Sequence, residues 1–208
     1  MDAKNIIKLV SGLIIKEKIT ISGLTTGDKL EKLVQKKCIE KGVRYMKDVG
    51  MPLYISAVCL KNGDTYIFTN TNCKYDYKLK LVNNIEVWKA VRASCSYPGV
   101  FEPLKWNGTE LVDGGIRENI PWKVLKNCGA DKVLSVIFKN EGKKNCSKNV
   151  ISVIECSLGY LNKELREYEM IGSDEVIEIK TEDIGLLDYT KIDELYRIGY
   201  EAGRRGDY

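Results

Sequence analysis

Apolar residues recur at helical spacing over residues 3–15 (Ile6, Leu9, Val10, Leu13). They do so again after Thr26-Gly27-Asp28, where Leu30, Leu33, Val34 and Cys38 share one face of a helix that should close near Gly42. Residues 18–22 read as a short strand or a loop. The pattern then shortens to a period of two over 52–60, and Asn62-Gly63 is a type I′ hairpin signal leading into a second strand, Thr65–Thr69. A helix is predicted over 85–94 and is broken by Pro98-Gly99. A second hairpin follows with Asn107-Gly108 at its tip, and its return strand over 109–112 delivers the chain to Asp113. Pro121 suits the first turn of a helix running to Asn127 and ended by Cys128-Gly129. The Val- and Ile-rich run at 132–138 predicts a buried strand. Helix is expected over 149–170, strand over 175–179, and a last helix over 190–204 with Ile192, Leu195, Ile198 and Ala202 inward. Strands alternating with helices make the chain α/β, and without a linker, repeat or low-complexity tract residues 1–208 are expected to form one domain.

Composition narrows the chemistry. The chain has 208 residues, is 44% hydrophobic and 30% charged, and carries a formal net charge of +4. This mild, dispersed positive charge gives no case for nucleic acid, although a peripheral contact with anionic lipid is compatible with it, as is the Lys-rich helix at 28–41. The longest apolar stretch, residues 6–15, is too short to span a membrane, and Asp2 argues against a signal peptide. Seven cysteines without a C-x-x-C pair predict reduced, mostly buried thiols in a cytoplasm. The chain has no histidine, which removes Ser-His-Asp and Cys-His triads and mixed zinc sites; no metal or cofactor is implied.

The candidate chemistry centres on Asp113-Gly114-Gly115. By itself the tripeptide is a turn. At the end of a strand, however, a carboxylate is rigidly held and can be partly desolvated by Val112 and Ile116, and the glycines let another main chain or a substrate approach. It is embedded in a longer sentence, ASCSYPGVFEPLKWNGTELVDGGIRENIP from Ala93 to Pro121. That segment resembles the catalytic-aspartate region of the patatin-like phospholipases. Gly23-Leu-Thr-Thr-Gly27 before an amphipathic helix, the strands opening Pro52-Leu53, Asp183-Ile-Gly-Leu-Leu-Asp188 and Gly199-Tyr-Glu-Ala-Gly203 extend the likeness over nearly the whole chain, which aligns with about the last two-thirds of such a domain.

The resemblance implies a three-layer α/β/α sandwich and a serine hydrolase of lipid acyl esters, working through a Ser–Asp dyad with Asp113 as the general base. It also implies a Gly-rich oxyanion loop and a G-x-S-x-G elbow, and neither is present in these 208 residues. The expectation is therefore an incomplete, N-terminally truncated domain, lacking the first strand and the nucleophile and inactive alone. Two local features compete for the role of nucleophile. Gly23-Leu24-Thr25-Thr26-Gly27 has G-x-T-x-G spacing, but a β-branched residue is badly suited to a strained elbow and the helix after it is half polar. Ser94, Cys95 and Ser96 read as small residues that let the chain pack closely. The alternatives to a hydrolase are a non-catalytic interaction module and a nucleotide-binding α/β domain; the second lacks both common phosphate-binding glycine motifs.

Overall fold

The two hairpins build the sheet that carries Asp113, and their turns differ. The computed structural model describes residues 23–72, 79–139, 150–181, 184 and 189–204. The predicted elements at 3–15 and 18–22, and most of the segment 183–188, lie outside these. In chain order the elements are β1 (Gly23–Thr25), α1 (Asp28–Glu40), β2 (Tyr54–Cys59), β3 (Thr65–Thr69), β4 (Leu79–Val82), α2 (Val87–Ser94), β5 (Gly99–Phe101), β6 (Leu104–Trp106) and β7 (Thr109–Asp113). After them come α3 (Trp122–Asn127), β8 (Leu134–Lys139), α4 (Val150–Met170), β9 (Glu175–Lys180) and α5 (Ile192–Arg204).

Strands β4-β3-β2-β7-β6 form a five-stranded mixed sheet, while β1 pairs with β5 and β8 with β9, both in parallel. Helices packed against mixed strands confirm the α/β class. Strand β4 was not foreseen. Its four residues, Leu-Lys-Leu-Val, are too few to declare a period, and parallel pairing with β3 makes them a strand.

At the β6–β7 turn, Asn107 (φ 48°) and Gly108 (φ 75°) are both left-handed, as a two-residue type I′ loop requires, and Trp106 pairs with Thr109 across it. The β2–β3 connection departs from expectation. Only Gly63 (φ 71°) is left-handed there; Asn62 instead accepts the Asp64 N–H through its side chain (3.1 Å), and the loop is wider than a two-residue turn. A methyl group at Gly108 would meet no atom within 4 Å, so Gly108→Ala tests backbone strain alone. It should lower unfolding free energy by about 1–2 kcal/mol in urea titrations without changing the m-value.

Helix α2 lies on this sheet. Val87, Ala90 and Ala93 pack with Ala57, Cys59, Phe68 and Leu111, and the rings of Tyr66 and Phe68 meet Trp106 edge-on. The packing fixes where α2 ends and so places residues 94–96 beside the end of β7.

Two expectations are corrected. Residues 132–138 do not form a strand buried on both faces. In β8, Ser135 and Ile137 turn inward, while Leu134, Val136 and Phe138 are 49%, 53% and 60% exposed. A continuous apolar run has no period of its own, so burial of its second face depends on which elements stack there. The thiols are not all reduced either: Cys128 and Cys156 are disulfide-bonded, whereas Cys38, Cys59 and Cys95 are free. Cysteine spacing along a chain does not report which sulfurs the fold brings together, and the thiols no longer argue for a reducing compartment. Among the described residues, no helix is long and apolar enough to cross a membrane.

Candidate active site

Asp113 ends β7 directly opposite Ala57 of β2, and its main-chain N–H donates to Ser96 O (3.1 Å) beyond the end of α2. The carboxylate caps the 3-10 turn Gly114–Ile116, with Oδ1 accepting the Gly115 N–H at 2.8 Å. Burial pushes the Asp113 carboxyl above its ordinary range, against the pull of that N–H. Oδ2 has no protein donor among the described residues.

The two glycines are there for different reasons, and neither has a positive φ. A Cβ on Gly114 would stand 2.1 Å from Ser56 Oγ and 2.8 Å from the Ser56 carbonyl carbon, so β2 itself runs where a side chain would go. At Gly115 the crowding is milder: Asp113 Oδ1 at 3.2 Å and Asn119 Oδ1 at 3.3 Å.

Several groups surround the turn. Cys95 is a half-buried thiol whose pKa is raised by burial and then by the Asp113 charge, which leaves it protonated rather than nucleophilic. Ser96 is fully buried; its hydroxyl donates to Arg92 O (2.9 Å) and accepts from Arg92 Nη1 (2.6 Å). Ser94 is half-buried at the end of α2. Cys95 packs against the cluster of Leu30, Val100 and Phe101, while Ser96 is held by its bonds to Arg92.

Downstream, Glu169 near the end of α4 accepts the N–H groups of Asn119 (3.0 Å) and Ile120 (2.8 Å), clasping the segment after the turn. Burial raises the Glu169 carboxyl against these two bonds. The neighbouring Glu118 is raised by burial and, less, by the Glu169 charge. Neither Arg92 nor Glu169 was identified from the sequence. Their only signals were an arginine within an apolar helical segment and a glutamate far downstream, neither of which points to Asp113.

Thr25 is 0% exposed at the end of β1, with its hydroxyl turned to the Gly27 N–H (3.3 Å). Gly27 (φ 74°) then starts α1. This is a buried turn, with no exposed elbow. Thr25→Ala should leave any ester-hydrolysis rate unchanged once folding is matched by circular dichroism; complete loss of rate in a folded variant would reinstate it as nucleophile.

A surface hollow of about 500 Å³ lies at the hairpin end of β7, lined by Leu60, Lys61, Lys105, Gly108, Thr109 and Glu110. Asp113 is at the opposite end of that strand and does not contribute to it. Among the described residues no acidic or thiol cluster could hold a metal ion.

Comparison with known proteins places this geometry in context. The family model described as patatin-like phospholipase matches residues 7–126, which include β1 to β7 and Asp113. The chain is 26% identical over 144 residues to a lysophospholipase NTE1 of Phaeosphaeria nodorum, covering 57% of this chain and 10% of that protein. With lysophospholipase NTE1 of Saccharomyces cerevisiae it shares 24% over 143 residues, 56% of this chain and 8% of that one. With the uncharacterized protein YqhO of Bacillus subtilis the identity is 26% over 193 residues, 88% of this chain and 65% of the relative. The chain thus spans a tenth or less of these two lysophospholipases and just under two-thirds of YqhO.

Proposed function

This chain belongs to the patatin-like phospholipase family, and on that premise we propose that its 208 residues carry the general-base half of a lipid acyl hydrolase site. The reaction is cleavage of a carboxylic ester, with Asp113 taking a proton from a serine on a G-x-S-x-G elbow outside these residues. The substrate class is a phospholipid or lysophospholipid acyl ester, the second suggested by the names of the relatives. Peripheral contact with a lipid surface accompanies this reading.

The observation that carries it is the state of Asp113: rigid at a strand end, half-buried, tied through one oxygen to the Gly115 N–H and raised in basicity by desolvation. As the serine oxygen attacks the ester carbonyl, its proton passes to the Asp113 carboxylate. When the tetrahedral intermediate collapses, that proton goes to the departing alcohol and an acyl-serine remains. Water then attacks the acyl-serine, again giving a proton to Asp113, which returns it to the serine as the fatty acid leaves. A Ser–Asp pair needs no histidine, in keeping with a chain that has none.

The test uses a fluorogenic short-chain ester. The 208-residue chain should show no turnover above background, and the protein extended upstream through a G-x-S-x-G should show it. A folded, extended protein with that serine present and no turnover on esters or lysophospholipids would leave the non-catalytic interaction module as the better reading.

A further inference from the structure

Arg92 is a charged side chain placed where charge is expensive. It is 2% exposed on α2, and its side chain reaches the β1–α1 turn and the end of β5 rather than solvent. Its guanidinium makes a fork of bonds to three separate segments. Nη1 donates to Ser96 Oγ (2.6 Å); Nη2 donates to Thr26 O in the β1–α1 turn and to Glu102 O (2.8 Å) just past β5. Its Cζ lies over the Phe101 ring, 5.3 Å from the ring centre. Gly27 is shaped around it, since a Cβ there would fall 2.3 Å from Arg92 Nε. A planar guanidinium spreads five donors over a rigid fork and so reaches two carbonyls and a hydroxyl from different nitrogens, whereas the three donors of a lysine all leave one atom.

This fork leads to Asp113 by one short path. Ser96, held through its hydroxyl at both ends of the Arg92 residue, presents its carbonyl to the Asp113 N–H. We propose that Arg92 is a positioning residue for the Asp113 carboxylate, acting through Ser96 to fix the end of β7 and keep water from the side chain that follows it. The inference rests on the reading of Asp113 as the base, but it concerns a residue that touches neither substrate nor the reacting oxygens. The groups facing Asp113 are the Gly115 N–H and the Cys95 thiol, with the Arg92 charge also acting on Cys95.

The experiment follows the Gly115 amide by 15N–1H correlation spectra of the full 208-residue chain through a pH titration. Its N–H donates to Asp113 Oδ1, so its shift reports ionisation of that carboxyl. Asp113→Asn identifies the inflection. Arg92→Lys keeps the positive charge and removes the fork; Ser96→Ala keeps Arg92 and removes the hydroxyl relay. If the relay positions Asp113, both variants lower the Gly115 midpoint toward the ordinary carboxylate range, because loosening the strand end admits water while the charge stays. If Arg92 only staples the fold, thermal stability falls and the midpoint stays where it is in the unsubstituted chain, which overturns the proposal. Should Arg92→Lys fail to fold, Ser96→Ala decides alone. An unsubstituted chain whose Gly115 midpoint already lies in the ordinary range would overturn the underlying reading of Asp113, a separable failure.

Discussion

Asp113→Asn is expected to lower catalysis by orders of magnitude and to stabilise the fold at neutral pH. In a protein carrying both members of the dyad, loss of a positioned general base should lower kcat by about a hundred- to ten-thousand-fold, measured on a short-chain ester. Asparagine keeps the shape and an oxygen for the Gly115 N–H, so the substitution removes basicity and little else. The effect on stability has the opposite sign. Because burial raises the carboxyl in the folded state, Asp113 binds its proton more tightly folded than unfolded. Its ionisation therefore costs stability once the pH exceeds the folded pKa, and that cost vanishes as the pH falls below the ordinary carboxylate value. Asp113→Asn should accordingly raise Tm at pH 7 and have little effect near pH 3. A lower Tm at pH 7 would mean that the ionised carboxylate is stabilised where it stands, the reverse of what a base requires.

The second large effect is expected at Gly114. Any side chain there meets Ser56 Oγ at 2.1 Å, Ser56 Cβ at 2.6 Å and the Ser56 carbonyl carbon at 2.8 Å. The hydroxyl could rotate away, but the main chain of β2 cannot, since it is paired with β3 on one side and β7 on the other. Gly114→Ala should cost about 2–3 kcal/mol of unfolding free energy by overpacking. It should also disturb the Asp113 turn. Adding Ser56→Gly removes the two closest atoms and should recover part of the loss, because the backbone contact remains. Gly115→Ala is the contrast. Its nearest neighbours stand at 3.2 and 3.3 Å and are side-chain oxygens that can shift, so it should cost clearly less. Equal losses at the two glycines in denaturant titrations would show that turn conformation, rather than the approach of β2, selects glycine here.

How much of this was legible beforehand follows from the range of each interaction. Alternation over 52–60 and the turn residues at 107–108 report contacts between near neighbours, and β2, β3, β6 and β7 appear where those patterns placed them. The helical spacing of Leu30, Leu33, Val34 and Cys38 is of the same kind and gives α1, ending two residues before Gly42. The strand-end carboxylate followed by two glycines was likewise readable, because hairpin geometry and glycine's missing side chain are local properties.

Pairing and burial belong to the tertiary structure. Strand β4 exists because β3 offers it a parallel edge, and β8 leaves Leu134, Val136 and Phe138 exposed because inward and outward are relations between elements. The bonded states of Cys128 and Cys156 are decided in the same way. So is the environment of Asp113. The sequence alone determined that a histidine-free chain presents one carboxylate at the end of a hairpin; the tertiary structure set how basic it is, through burial that outweighs the pull of the Gly115 N–H. The reason is dielectric. Desolvation depends on every atom within a few ångströms, and those atoms come from residues as far as fifty or more positions along the chain.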